Sequence, residues 1–198
     1  DWSSDVCSSD VCWEEKKFHS IAQITMGQSP DSDSYSDNEN DLPLIQGKAD
    51  IKNRLSFPQK RTSKPSKTCS KGSILMTVRA PVGSVAKSVH HACIGRGICS
   101  INPSINTDFV YQFLIRNEDK WRHVEQGSTF SAINKDDISD IAIYVPSLDE
   151  QAKIANFFAL IDERISNQEQ IIENLEQLKK GYMQKIFSQQ LRFKDENG

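Results

Sequence analysis

The stretch SLDEQAKIANFFALIDERISNQEQIIENLEQLKKGYMQKIFS, residues 147–188, decides the architecture, because it holds no proline and a single glycine, Gly181. Directly after Pro146, Ser147-Leu148-Asp149-Glu150 has the form of a capping box. There the serine hydroxyl and glutamate carboxylate satisfy backbone N–H groups that a helix start leaves without partners. Placing Phe158, Ile165, Ile172, Lys179 and Ile186 at heptad position a puts Ile154, Ile161, Gln168, Leu175 and Tyr182 at d. Eight of these ten seam positions are apolar or aromatic, which is the pattern of a coiled coil. A helix of this length extends about 60 Å at 1.5 Å per residue, longer than a small domain is wide, so it needs a partner helix. Gln168 and Lys179 within the seam lower stability in exchange for a fixed register and orientation.

Upstream, the texture changes. From Trp13 to Pro146 short apolar runs alternate with Gly, Pro, Asn and Ser, as in IAQITMGQSP, LPLIQG, ACIGRGICSINPS and DIAIYVPS, and these read as strands joined by turns. Between Gly72 and Val89, period-two counting puts Ile74, Met76 and Val78 on one side of a strand, and Ala80-Pro81-Val82-Gly83 supplies a turn to the next. Phe109, Phe113, Trp121 and Val124 fall at near-helical spacing and predict one helix over Phe109–Val124, packed on the sheet. The expected class is α+β: a mixed domain over 13–146, a long helix over 147–188 and a tail over 189–198. Residues 3–7 repeat at once as residues 8–12, with little to bury, so 1–12 read as a non-native or unstructured extension.

With 37% hydrophobic residues in 198, the chain supports one ordinary core plus an appendage. No run of about 18 apolar residues and no signal pattern occurs, which makes a cytoplasmic protein without a membrane partner the default expectation. Cys7, Cys12, Cys69, Cys93 and Cys99 are odd in number and lack paired spacing, so a disulfide framework or zinc site is not indicated. His90-His91 invites a metal reading. Adjacent strand residues point to opposite faces, however, and nothing nearby has ligand spacing, so no metal and no cofactor is expected.

The net charge of −3 disfavours a nucleic-acid partner only until the charges are located. Lys48, Lys52, Arg54, Lys60, Arg61, Lys64, Lys67 and Lys71 face a single acid, Asp50, within residues 48–71: eight minus one, a local +7. That is a footprint for phosphates. The acidic excess lies in Asp31, Asp33, Asp37, Glu39 and Asp41 and along the C-terminal helix. A solvated basic loop is the competing reading.

In order along the chain, Trp13-Glu14-Glu15-Lys16-Lys17, Gly27-Gln28-Ser29-Pro30 with Tyr35, LPLIQGKADI, VRAPVG, IGRG, FVYQFL, QGSTFSAI and VPSLDEQAKIANFFALID resemble the landmarks of type I restriction-modification specificity subunits. The resemblance covers residues 13–198. It implies a target-recognition domain that reads a few base pairs of a split target, and a helix that sets the distance to a second such domain. It further implies a modification methyltransferase and a restriction subunit as partners, with no catalysis by this chain itself. Full-length members carry two of each element, and LRFKDENG resembles the segment leading into the second. The chain is therefore expected to be a half-subunit, pairing its helix with a second copy, or a fragment of a longer subunit.

Base readout needs donors and acceptors on well-held loops, whereas phosphate contacts need only cations and N–H groups. Gln28 and Ser29 in a turn offer an amide and a hydroxyl, and Tyr35 suits sugar or phosphate. Arg79 and Arg96 are planar forks for guanine or phosphate, the flanking Gly95 and Gly97 allowing close approach to DNA. Gln126, Ser128 and Thr129 form a small polar loop that reads equally as a helix stop. Lys48, Lys52, Arg54, Lys60 and Arg61 are the expected phosphate contacts. Two rivals remain: a structural coiled-coil adaptor, favoured if the basic run is buried or paired with residues 31–41, and a metal-dependent nuclease using Asp31, Gln46 and Lys48. A methyltransferase is disfavoured, since Asn102-Pro103-Ser104 lacks the second proline and the aromatic that stacks a flipped base.

Overall fold

The computed structural model describes residues 13–121 and 132–193. The chain divides into two compact units, with the boundary after Ala155.

In chain order, the first unit begins with β1 (Glu14–Lys17), α1 (Phe18–Ile21), β2 (Ala22–Met26), β3 (Tyr35–Ser36) and β4 (Leu42–Ile45). Next come β5 (Ile51–Lys52), β6 (Leu55–Ser56), β7 (Lys60–Thr62), β8 (Thr68–Cys69) and β9 (Ile74–Thr77). The series closes with β10 (Val85–Lys87), β11 (Ala92–Ile94), β12 (Ile98–Pro103), α2 (Thr107–Arg116), α3 (Lys135–Ser139) and β13 (Ala142–Val145). Helix α4 (Leu148–Phe187) begins in this unit and forms most of the second. The expected α+β class is what the structure shows.

The strands form a six-stranded sheet in the order β2-β12-β9-β10-β6-β5, a five-stranded sheet in the order β3-β7-β4-β11-β8, and the pair β1-β13. Most pairings are antiparallel; β10 with β6 and β11 with β4 are parallel. The expected hairpin is present, with Val85 opposite Met76 and Lys87 opposite Ile74. Ile74, Met76 and Val78 do share one face and enter the main core with Phe18, Ile101, Val110, Leu114 and Ile143. Leu75, on the other face, enters a second core with Ile45, Ile94 and Ile98. Strand β9 is thus buried on both sides, and each fully covered Ile or Leu contributes roughly 1.5–3 kcal/mol.

The helix expected over Phe109–Val124 begins two residues earlier, at Thr107, and ends sooner, at Arg116. Asn106 is its N-cap, its side-chain oxygen accepting from Asp108 N at 3.0 Å and Phe109 N at 2.9 Å. The helix breaks at Asn117, and Val124 lies outside the described residues. At the start of α4, Ser147 Oγ accepts from Glu150 N at 3.4 Å as the capping box predicts. The Glu150 carboxylate, by contrast, takes the indole N–H of Trp13 at 3.3 Å. The buried residue here is Gln151, whose amide donates to Pro146 O at 2.8 Å and whose oxygen accepts from Asn106 N at 3.1 Å. Gln151 and Ala155 are buried, and the first two turns of α4 group with the first compact unit.

Cys69, Cys93 and Cys99 are free, buried thiols, and burial pushes Cys99 up to about 12. Cys7 and Cys12 lie outside the described residues. Among the described residues no helix is long and apolar enough to cross a membrane.

Candidate nucleic-acid interface

Four segments far apart in sequence meet at one cavity of about 320 Å³, lined by Ser29, Gln46, Gly47, Lys48, Arg79, Ala80, Arg96 and Gly97. Close backbone packing brings them together. A Cβ on Gly97 would lie 2.3 Å from Gln46 O, and one on Gly95 would lie 3.2 Å from Gln46 Cα. Gly95 N donates to Ile45 O at 2.8 Å, tying the β11–β12 turn to the end of β4. The segment after β2 joins the same stack: Gly27 N donates to Ile98 O and Gln28 N to Ile94 O, both at 2.9 Å, and Ser29 Oγ accepts from Arg96 N at 3.2 Å. The space that side chains at Gly95 and Gly97 would need is thus taken by Gln46.

The electrostatics of this cavity are one-sided. Lys48, Arg79 and Arg96 are exposed, and among the described residues no carboxylate lines the cavity and none of the three forms an ion pair. Three cations gathered without an acid repel one another, and an anion entering the cavity relieves that repulsion. Ser29 and Gln46 add neutral donors and acceptors on the same wall.

The rest of the basic run does not form one footprint. Lys52 lies on the end strand β5 of the six-stranded sheet, its ammonium 5.7 Å from the Phe57 ring centre. Lys60 and Arg61 lie on β7 of the other sheet. The Lys60 ammonium sits 5.7 Å from the Tyr35 ring centre, and Arg61 donates to the backbone carbonyl of Asp41 at 2.8 Å. The Tyr35 hydroxyl oxygen accepts from Gln46 Nε2 at 2.6 Å.

Arg54, expected on phosphate, keeps its side chain 48% exposed while pairing with a carboxylate of the same domain. Asn53 and Arg54 form the two-residue turn between β5 and β6 with φ of 50° and 57°, a conformation that costs an arginine roughly 1–2 kcal/mol. Its guanidinium reaches both oxygens of the buried Glu118, at 2.7 and 3.2 Å, and Glu118 also accepts from Val85 N at 2.7 Å. Replacing Glu118 by alanine strips Val85 N and Arg54 of this acceptor and is expected to lower stability by about 2–3 kcal/mol. Urea unfolding checks this as a lower midpoint with unchanged slope.

Gln28 is exposed, its carbonyl accepting from Ser66 Oγ. Gln126, Ser128 and Thr129 lie outside the described residues. His90 Nδ1 is 2.9 Å from Ser56 Oγ, and among the described residues no group of His, Cys, Asp or Glu is arranged to hold a metal ion. For the nuclease reading, Asp31 does not line the cavity. The carboxylate beside Gln46 is Asp50, which is buried and accepts from Gln46 N at 2.7 Å and Gln59 N at 3.4 Å. Among the described residues no ion pair joins the cations of residues 48–71 to the acids of residues 31–41, although Arg61 donates to the backbone of Asp41.

The model of the type I restriction modification DNA specificity domain matches residues 11–177. The chain belongs to that family. This specificity domain is 36% identical over 175 residues to the putative type I restriction enzyme MjaX specificity subunit of Methanocaldococcus jannaschii, covering 87% of this chain and 41% of that protein. Among solved structures, the HsdS subunit from Thermoanaerobacter tengcongensis matches with a TM-score of 0.72 and 30% identity, over 87% of this chain and 44% of that one. A chain solved in a study of complex assembly and conformational transition of the type I R-M system matches with a TM-score of 0.74 and 31% identity, over 88% of this chain and 45% of that one. The specificity domain described here thus spans less than half the length of these relatives. Its matched span includes every residue of the cavity and most of α4.

Along α4 the seam residues are solvent-facing in the single chain: Ile165 is 52% exposed, Ile172 55%, Leu175 60% and Tyr182 50%. The apolar stripe is wider than the a and d positions alone, because Phe157, Ile171 and Leu178 at g are also exposed. Period-3.5 counting on a and d missed that width.

Proposed function

We propose that this domain recognises a short sequence in duplex DNA, as one half of a bipartite target, and directs methylation and cleavage carried out by partner subunits. The observation that carries it is the cavity where Lys48, Arg79 and Arg96 converge with Ser29 and Gln46 and, among the described residues, no acid. Cations supply phosphate affinity; the forked guanidinium groups and the amide supply base readout. Gln28, Tyr35, Lys52, Lys60 and Arg61 are proposed as flanking contacts, with Gln126, Ser128 and Thr129 beyond the described residues. The relatives are named specificity subunits, which supports a non-catalytic role for this chain alongside a modification methyltransferase and a restriction subunit. The seam of α4, with Phe158, Ile161, Ile165, Ile172, Leu175 and Tyr182 exposed and Ile154 packed against the main core, supports pairing with a second copy or a second half of the same kind. The working domain would then run over 13–146, with 147–188 as spacer and dimerisation helix.

Selection of binding sites from random duplex DNA at low salt, with the full chain and a methyltransferase partner, tests this. An inverted, spaced repeat is expected if two copies pair through α4, and a single short site if one domain acts alone. No enrichment of any sequence overturns the recognition role.

A further inference from the structure

We propose that Gln46 reads an adenine, with Tyr35 as the residue that positions its amide; the inference rests on the DNA-recognition role above. Gln46 directly follows the buried Leu44 and Ile45 at the end of β4 and lines the cavity. Its N–H is taken by Asp50 Oδ2 at 2.7 Å, and the two glycines of the β11–β12 turn close on its backbone from the other side. The side chain is fixed as well, since Nε2 donates to Tyr35 Oη at 2.6 Å.

A carboxamide has two N–H donors and one carbonyl acceptor. With one N–H committed to Tyr35, Gln46 has one donor and one acceptor left. In the major groove adenine offers the complement, an N7 acceptor beside an N6 donor. Guanine offers two acceptors there, and the pyrimidines offer no such pair. An amide already held in place loses little rotamer freedom on binding, so more of its hydrogen-bond energy appears as discrimination. The neighbouring cations cannot do this work. Arginine and lysine only donate, and they favour guanine or phosphate.

The test uses the full chain and its selected site. Binding is compared for wild type, Gln46→Ala and Tyr35→Phe, on DNA in which each adenine in turn is replaced by 7-deaza-adenine, which lacks the N7 acceptor. Wild type is expected to lose roughly tenfold or more in affinity at one adenine. Gln46→Ala should be insensitive to that replacement and tolerate any base at that position while keeping its other preferences. Tyr35→Phe should still prefer adenine there, by a smaller factor. The wild-type measurement needs no variant, so a folding defect in either variant leaves the test intact. Wild type insensitive to 7-deaza replacement at every adenine overturns the proposal, as does Gln46→Ala weakening all sequences equally. A wild type with no base preference at all instead overturns the recognition role itself.

Discussion

Alanine at Gly27 is expected to cost about 3–4 kcal/mol or more, a large share of the 5–15 kcal/mol that holds a typical domain together. The added Cβ would lie 2.2 Å from Gly95 O, 2.6 Å from Ile98 O and 2.8 Å from Ile94 O. All three are backbone atoms, so no side chain can rotate away; the β11–β12 turn must move as a unit. That movement would pull apart the stack on which Ser29, Gln46 and Arg96 depend. Gly47→Ala is the matched control, because a Cβ there meets nothing within 4 Å and the φ of −177° suits any residue. Thermal or urea unfolding should show a large loss for Gly27→Ala and a change within about 0.5 kcal/mol for Gly47→Ala.

The second large effect concerns DNA. Replacing Lys48, Arg79 and Arg96 together by alanine should lower affinity roughly a hundredfold near 0.1 M salt, at about 1 kcal/mol for each lost charged contact. The slope of log affinity against log salt should become shallower by about 2 to 3, since each phosphate contact releases about one counterion. All three side chains are exposed and unpaired among the described residues, so the melting temperature should barely move. A salt slope equal to that of wild type would remove these cations from the interface. Triple replacement of Lys64, Lys67 and Lys71 provides a charge-matched comparison.

What the sequence made legible was written in local signals. Residues 147–188 announce their helix through the absence of proline, the Ser147 cap and the heptads, and β9–β10 announce their hairpin through alternation and a Pro-Gly turn. Ser29, Lys48, Arg79 and Arg96 were recognisable by residue type and turn context, and they do meet. Long-range contacts were not legible. Arg54 looked like any other cation in a basic run, yet its partner Glu118 lies 64 residues away. Asp50 looked like the stray acid of that run, although it is the buried acceptor that fixes Gln46. Gln46 itself was singled out as a candidate only within a nuclease motif, because nothing within a few residues foretells the hydroxyl of Tyr35. The cue that was available is small: a polar residue set at the end of a fully buried strand and followed by glycine.

Strand β1 pairs with β13 so that Glu14 stands opposite Val145 and Lys17 opposite Ala142. The polypeptide therefore enters and leaves the recognition domain at one place, immediately before α4. A body attached to its chain by neighbouring ends is a cassette: it can be lifted out and another of the same attachment geometry set in, with the helix beyond its first turns left as it was. Under the proposed recognition role, target choice and spacer length become separately exchangeable parts, and a new specificity needs a graft that carries the buried Gln151 and Ala155 of the first helical turns with it.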